Sequence, residues 1–319
     1  MPGPRPTAEE ENGRLDLGKH GNLHLGIDLG GSKIEIIAID ANGAEVWRKR
    51  IPAPRTDYGQ SLDAIESLVR ECESRIGPAD SIGIGIPGSL SLTSGRVRNA
   101  YSTPLLGQRF AEDIETRLGR GVTIANDADC FALSEALDGA AAGAATVFGV
   151  ILGTGVGGGF VVGGRLLRGA NAIAGEWGHN PLPWPRPDEL PGPPCSCGQP
   201  GHIESWLSGT GFAASYVRAG ASALDAPQII ERMRAGDSIA RSCFDDYVGR
   251  LARSLATIIN TVDPHVIVLG GGMSNVPEIY PRVPLQWRPY VYSDDVKTRL
   301  MPAHHGDSSG VRGAAWIAL

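Results

Sequence analysis

The chain has 319 residues, 42% of them hydrophobic, and 29 Lys and Arg against 35 Asp and Glu give a net charge of −6. That apolar content supports a full core divided over two domains, and the acidic balance argues against a non-specific nucleic-acid or membrane-surface binder, because both need a basic face. Five cysteines fit a reducing compartment rather than a disulfide scaffold, and no apolar run has bilayer length or signal-peptide order, so a cytoplasmic protein is expected.

Residues 1–22, rich in Pro and Glu, read as a disordered tail. From Leu23 the pattern changes. Residues 25–28 and 34–39 are strands parted by Gly30-Gly31-Ser32-Lys33, and Asn42-Gly43 turns the chain into a third strand over 44–50, an antiparallel meander. Leu62, Ile65, Leu68, Val69, Cys72 and Ile76 then recur at helical spacing up to Gly77. A strand over 81–86 follows, then a helix marked by Phe110, Ile114 and Leu118, then a buried strand over 122–125 that runs into Asn126-Asp127. A second cycle starts at Thr146, where strands over 147–152 and 160–162 flank the glycine loop 153–159 and echo the first hairpin. A long helix capped by Asp237 ends at Asp263-Pro264, a strand over 266–269 feeds Gly270-Gly271-Gly272, and 311–319 closes the chain as a helix. The order predicts an α/β fold built from a duplicated unit, with a cleft between the halves.

Three glycine loops, Asp28-Leu29-Gly30-Gly31-Ser32-Lys33, Gly153 to Gly159, and Gly270-Gly271-Gly272-Met273-Ser274-Asn275, follow strands. Without a Cβ, successive backbone N–H groups can approach an anion and form a nest for phosphate oxygens. Each loop alone reads equally well as a hairpin turn; three together favour a nucleotide polyphosphate. Gly153-x-Gly155-x-x-Gly158 has the spacing of a dinucleotide fingerprint, but the residues after it continue as a strand where that motif requires a helix. A P-loop is absent from the sequence. Asp127, at a strand-to-helix junction, suits a general base for a hydroxyl. It could equally cap the helix, but Asp129 is better placed for that.

The densest chemistry lies between 175 and 204. His179, Cys195, Cys197 and His202 supply the two thiols and two imidazoles of a closed zinc site, with Glu176 and Glu204 held beside it. The alternative is a free-thiol loop with scattered histidines, which gives no packing reason for Cys-Ser-Cys-Gly between Pro-rich and Gly-rich segments.

These residues resemble the ROK family of bacterial sugar kinases and repressors, within the actin-like ATPase (ribonuclease H-like) superfamily. Asp28 to Lys33 is similar to its first phosphate motif, Asn126-Asp127 to its catalytic pair, Gly153-Thr154-Gly155 to its second phosphate motif, and 175–179 with 195–204 to its sugar and zinc signatures. Residues 177–184 and 305–316 look most like family members acting on fructose and mannose. The resemblance implies a two-domain fold with an interdomain cleft, in which 23–127 plus 307–319 form a smaller domain and 128–306 a larger one carrying the zinc loop.

It further implies ATP-dependent phosphorylation of a hexose with Mg²⁺ and a structural Zn²⁺, converting D-fructose to fructose 6-phosphate with mannose as a second acceptor. N-acetylglucosamine or glucose is the alternative, and a sugar-responsive regulator a further one. Asp127 becomes the base, and Asn126, Glu176, His179, Glu204, Gly88 and Asn99 the sugar contacts. Asp28 is set near Mg²⁺, with Gly30, Gly31, Ser32, Lys33, Gly153, Thr154 and Gly155 on the phosphates and Gly271, Gly272 and Asn275 near adenosine. His179, Cys195, Cys197 and His202 hold the zinc, His202 standing where the family usually has a third Cys. A homodimer is implied, with no nucleic-acid or membrane partner.

Overall fold

The computed structural model describes residues 22–100 and 103–319. Residues 1–21 of the expected tail lie outside that range. The chain divides into two compact units, one running to Cys130 and taking back Gly310–Leu319, the other spanning Phe131–Ser309.

The first unit opens with the meander β1 (Leu23–Leu29), β2 (Lys33–Asp40) and β3 (Glu45–Pro52), followed by α1 (Tyr58–Ile76) and β4 (Ser81–Ile86). A short hairpin, β5 (Ser89–Leu90) and β6 (Val97–Arg98), precedes α2 (Phe110–Leu118), β7 (Thr123–Asn126) and α3 (Asp127–Leu137). Sheet order is β3-β2-β1-β4-β7. The meander pairs antiparallel, whereas β1, β4 and β7 run parallel. α1 starts at Asp57, whose carboxylate accepts from the Gln60 N–H, and buries the apolar face read from the sequence.

Beyond these lie β8 (Thr146–Leu152), β9 (Val156–Val162), β10 (Arg165–Leu166), α4 (Glu204–Leu207), α5 (Gly209–Arg218), α6 (Ala226–Arg234), α7 (Ser238–Val262), β11 (Val266–Gly270), α8 (Ile279–Gln286) and β12 (Arg299–Pro302). Their sheet, β10-β9-β8-β11-β12, repeats the first: an antiparallel meander followed by two parallel strands. The duplication expected from the two glycine hairpins is therefore present in the strand order. α7 supplies Phe244, Tyr247, Val248, Leu251, Leu255 and Ile259 to the core of this unit and stops where Asp263 turns left-handed (φ 52°) ahead of Pro264.

The last helix, α9 (Ser309–Ile317), explains two strand glycines. Gly26 of β1 pairs with Gly83 of β4, and a Cβ on either would lie 2.1 Å from the Val311 carbonyl oxygen or 1.8 Å from that of Ala314. The paired glycines make a lane without side chains in which α9 packs directly on the sheet.

One expectation fails locally. The sequence reads 153–159 as one loop, but β9 begins at Val156 and Gly157, Gly158 and Gly159 pair with Ile151, Val150 and Gly149. Those glycines serve close packing. A Cβ on Gly158 would sit 2.9 Å from the Gly175 carbonyl oxygen and from the Phe148 ring, and Gly175 itself has φ 100°. The true turn is Gly153-Thr154-Gly155. Helices α4 to α6 have no counterpart in the sequence reading.

Candidate functional site

In the first unit the carboxyl ends of the parallel strands β1, β4 and β7 carry the acidic and amide groups, which is the end of an α/β sheet where ligands bind. Asp28 closes the polar end of β1, and Asn126-Asp127 joins β7 to α3. Burial, and next the Asp127 charge, push the Asp28 carboxyl up to about 7, with Lys33 and Arg50 opposing the rise. Two carboxyls sharing one small region favour a bound cation.

Asn126 is fixed on both sides of its amide. Its Nδ2 donates to the Gly88 carbonyl at 2.9 Å and its Oδ1 accepts from the Ala128 N–H at 2.8 Å. The helix begins at Asp127, so Asp129 lies inside its first turn and Asn126 takes the capping role assigned to Asp129 in the sequence reading. Asp127 Oδ1 is also 2.8 Å from the Ala128 nitrogen, which turns its carboxylate toward the helix start. Gly88 (φ 76°) and Asn99 (φ 61°) stand together, since a Cβ on Gly88 would lie 2.9 Å from the Asn99 carbonyl carbon.

The Gly30–Lys33 loop is a tight turn in which the Gly30 N–H donates to the Lys33 carbonyl at 3.0 Å. Gly31 and Ser32 form its exposed tip. The Lys33 ammonium lies 3.7 Å from the buried Glu35 carboxylate, which also accepts from Arg48 Nε at 2.6 Å and Arg50 at 2.8 Å. Lys33 is thus tied into a charged cluster on the meander.

In the second unit His179, Cys195, Cys197 and His202 converge, with one ligand atom from each all lying within 4.8 Å of one another. Cys195 Sγ is 3.5 Å from His179 Nδ1 and Cys197 Sγ is 3.2 Å from His202 Nδ1. Backbone bridges Pro181–His202 and Pro194–Pro200 pin the loop, and the Trp177 indole N–H anchors the histidine turn by donating to the Gly157 carbonyl at 3.1 Å. Two sulfurs and two imidazole nitrogens at this spacing fit a tetrahedral divalent metal. His202 reaches the cluster in place of a thiol.

Glu204 stands between this cluster and the turn Gly153-Thr154-Gly155. Its Oε1 accepts from Ser196 Oγ at 3.2 Å and its Oε2 from the Val156 N–H at 3.1 Å. A Cβ on Gly155 would be 2.8 Å from Oε2, so glycine there admits the carboxylate. Glu176 is half-buried and, among the described residues, its carboxylate has no protein partner.

A cavity of about 640 Å³ opens beside that loop, bounded by Gly153, Thr154, Gly272 and Asn275 as expected, and by Thr210 and α6, which the sequence reading missed. Its volume and mixed lining suit a nucleoside. Gly271 (φ 79°) lets the exit of β11 pass the loop, because a Cβ there would sit 2.6 Å from the Leu152 carbonyl. The overlooked signals were the Asp225/Gln228 capping box of α6 and the run Ser208-Gly209-Thr210-Gly211.

A model described as "ROK family" matches residues 24–319. An N-acetyl-D-glucosamine kinase of Yersinia enterocolitica is 40% identical over 301 residues, covering 93% of this chain and 99% of that protein. Among solved structures, a ROK hexokinase from Thermus thermophilus superposes with a TM-score of 0.84 at 30% identity, covering 93% of this chain and 97% of its own. A ROK family glucokinase from Streptomyces griseus, in complex with glucose and AMPPNP, gives a TM-score of 0.76 at 27% identity, with 93% and 99% covered.

Proposed function

Because the chain belongs to the ROK family, we propose that it is an ATP-dependent hexose kinase whose acceptor is N-acetyl-D-glucosamine. The observation that carries this reading is the 40% identity to N-acetyl-D-glucosamine kinase across nearly the whole of both chains. It supports the N-acetylglucosamine alternative of the sequence reading better than the fructose acceptor expected there. The segments that suggested fructose have other work here: the Trp184 carbonyl accepts from Arg253 at 2.6 Å with its ring 5.1 Å from Tyr290, and His305 Nε2 lies 3.1 Å from Asp138. The five thiols, none of them in a disulfide, fit a cytoplasmic setting. Among the described residues no helix is long and apolar enough to cross a membrane.

In this reading Asp127 takes the proton of the sugar's hydroxymethyl group as its oxygen attacks the γ-phosphorus and ADP leaves. Asn126, rigid between Gly88 and the α3 amide, orients sugar hydroxyls, and Glu176, His179 and Glu204 are further sugar contacts in this reading. Mg²⁺, when bound, offsets phosphate charge. Asp28, buried beside Asp127, is the carboxylate that would face it. The phosphates rest on the turn Gly153-Thr154-Gly155, and adenosine occupies the adjoining cavity. A loose phosphoryl-transfer transition state leaves the protein chiefly positioning and charge to supply.

A coupled assay of kcat/KM over N-acetylglucosamine, glucose, mannose and fructose tests the acceptor. N-acetylglucosamine is expected to lead by about tenfold or more, corresponding to roughly 1–3 kcal/mol of pocket discrimination. Fructose in first place would return the reading to the sequence expectation. Zinc at the Cys/His cluster gives a second expected outcome: one metal per chain by elemental analysis, with thiolate-to-metal charge-transfer bands after Co²⁺ exchange, both lost in Cys197→Ser. A metal-free wild-type chain of unchanged thermal stability would contradict it.

A further inference from the structure

The turn Gly153-Thr154-Gly155 is held from outside by the segment that starts α5. The Gly209 N–H donates to the Gly153 carbonyl at 2.7 Å, and Thr210 Oγ1 donates to the Thr154 carbonyl at 2.9 Å. A trans peptide points its C=O and the following N–H in opposite directions. With the carbonyls of 153 and 154 drawn toward α5, the N–H groups of Thr154 and Gly155 face the other way. Among the described residues neither N–H has a backbone partner. Two adjacent free N–H groups on one side of a turn are what a phosphate oxygen requires.

The Gly209 bond belongs to the backbone, but the Thr210 bond depends on one hydroxyl. Ser208 constrains where that hydroxyl's proton can go. It is buried at 2% exposure, caps α5 by accepting from the Gly211 N–H at 3.0 Å, and donates to the Glu204 carbonyl at 2.8 Å. Its Oγ stands 3.0 Å from Thr210 Oγ1. Since the proton of Ser208 goes to Glu204, Thr210 is left to direct its own at Thr154.

We infer that Thr210 is a positioning residue for phosphoryl transfer, its hydroxyl holding the Thr154–Gly155 peptide in the orientation that presents both amides to the nucleotide phosphates. The inference rests on the kinase reading above and adds a residue to it. Thr210 acts on the loop before any ligand arrives, so its effect is confined to the phosphate-bearing part of the nucleotide.

The test compares wild type, Thr210→Val, which keeps the shape and removes the hydroxyl, and Thr210→Ser, which keeps the hydroxyl. Calorimetry with AMPPNP and with adenosine reads the two parts of the site, and hydrogen exchange on the ligand-free protein reads the loop. In Thr210→Val, AMPPNP is expected to weaken by about tenfold, the scale of one hydrogen bond. Adenosine affinity should hold, exchange over 153–156 should rise, and Thr210→Ser should restore all three readouts. Thr210 borders the nucleoside cavity, so equal loss for adenosine and AMPPNP would show that it acts by contacting the nucleoside and would overturn the inference. So would a weakened AMPPNP with an unchanged ligand-free loop, which marks direct contact. Unchanged AMPPNP binding in Thr210→Val overturns it alone, whereas a wild type that binds no AMPPNP removes the kinase reading as well.

Discussion

Asp127→Asn is expected to cut kcat by ~10² to 10⁴-fold, the usual range of general-base assistance, with sugar and nucleotide affinities close to wild type. The local structure makes this substitution informative. Asp127 opens α3, with Oδ1 2.8 Å from the Ala128 nitrogen. Asn serves helix N-termini about as well as Asp, so the fold should tolerate the change and the loss should appear in the chemical step. Removing the negative charge also takes away the second largest cause of the high Asp28 value. The basic limb of the kcat profile should therefore change shape as well as height. Steady-state kinetics across pH, with thermal unfolding as the control, provides the check. A fall in kcat/KM that comes entirely from KM would mean that Asp127 only binds sugar.

Asp28→Asn is expected to stabilise the ligand-free protein above neutral pH while abolishing activity. In the folded chain burial, and next the Asp127 charge, push the Asp28 carboxyl up to about 7 from its ordinary value of 3.8. The fold therefore holds this proton more tightly than the unfolded chain does. Any stability associated with it is complete below pH ~4 and is lost as pH rises through about 7. At ~1.4 kcal/mol per pH unit the loss amounts to roughly 2–4 kcal/mol, the lower figure allowing for the part of the residue open to solvent. Asn carries no such penalty. Its melting temperature should exceed wild type by several degrees at pH 8, and the gap should close toward pH 4. A destabilised Asp28→Asn at pH 8, or a difference independent of pH, would show that the carboxylate is well accommodated without a cation. The same trade is common where a site is built for a ligand and not for its own empty state.

Much of this was legible in the chain. Strands and helices with a clean period, such as α1 with Leu62, Ile65, Leu68, Val69, Cys72 and Ile76, announce themselves because burial of one face sets the spacing. The ligand cluster was readable for a different reason: Cys195, Cys197 and His202 are close in sequence and only His179 comes from farther away. Long-range tasks were not readable. Thr210 meets Thr154 across 56 residues through one hydroxyl, and the run Ser208-Gly209-Thr210-Gly211 signals a helix start without naming that distant partner. The glycines 157–159 misled because a strand glycine that admits a crossing backbone at Gly175 looks, in sequence, like a loop glycine that admits a phosphate. The capping role expected of Asp129 falls to Asn126 because either side chain suits a helix start, and only the position of the first turn decides.

The most direct measurement is ³¹P NMR of the purified protein with ATP and N-acetylglucosamine. A phosphomonoester resonance coupled to the sugar's hydroxymethyl protons, growing in step with ADP and absent for Asp127→Asn, is the expected result. ADP with inorganic phosphate but no sugar ester, with N-acetylglucosamine, glucose, mannose and fructose alike, would contradict the assignment.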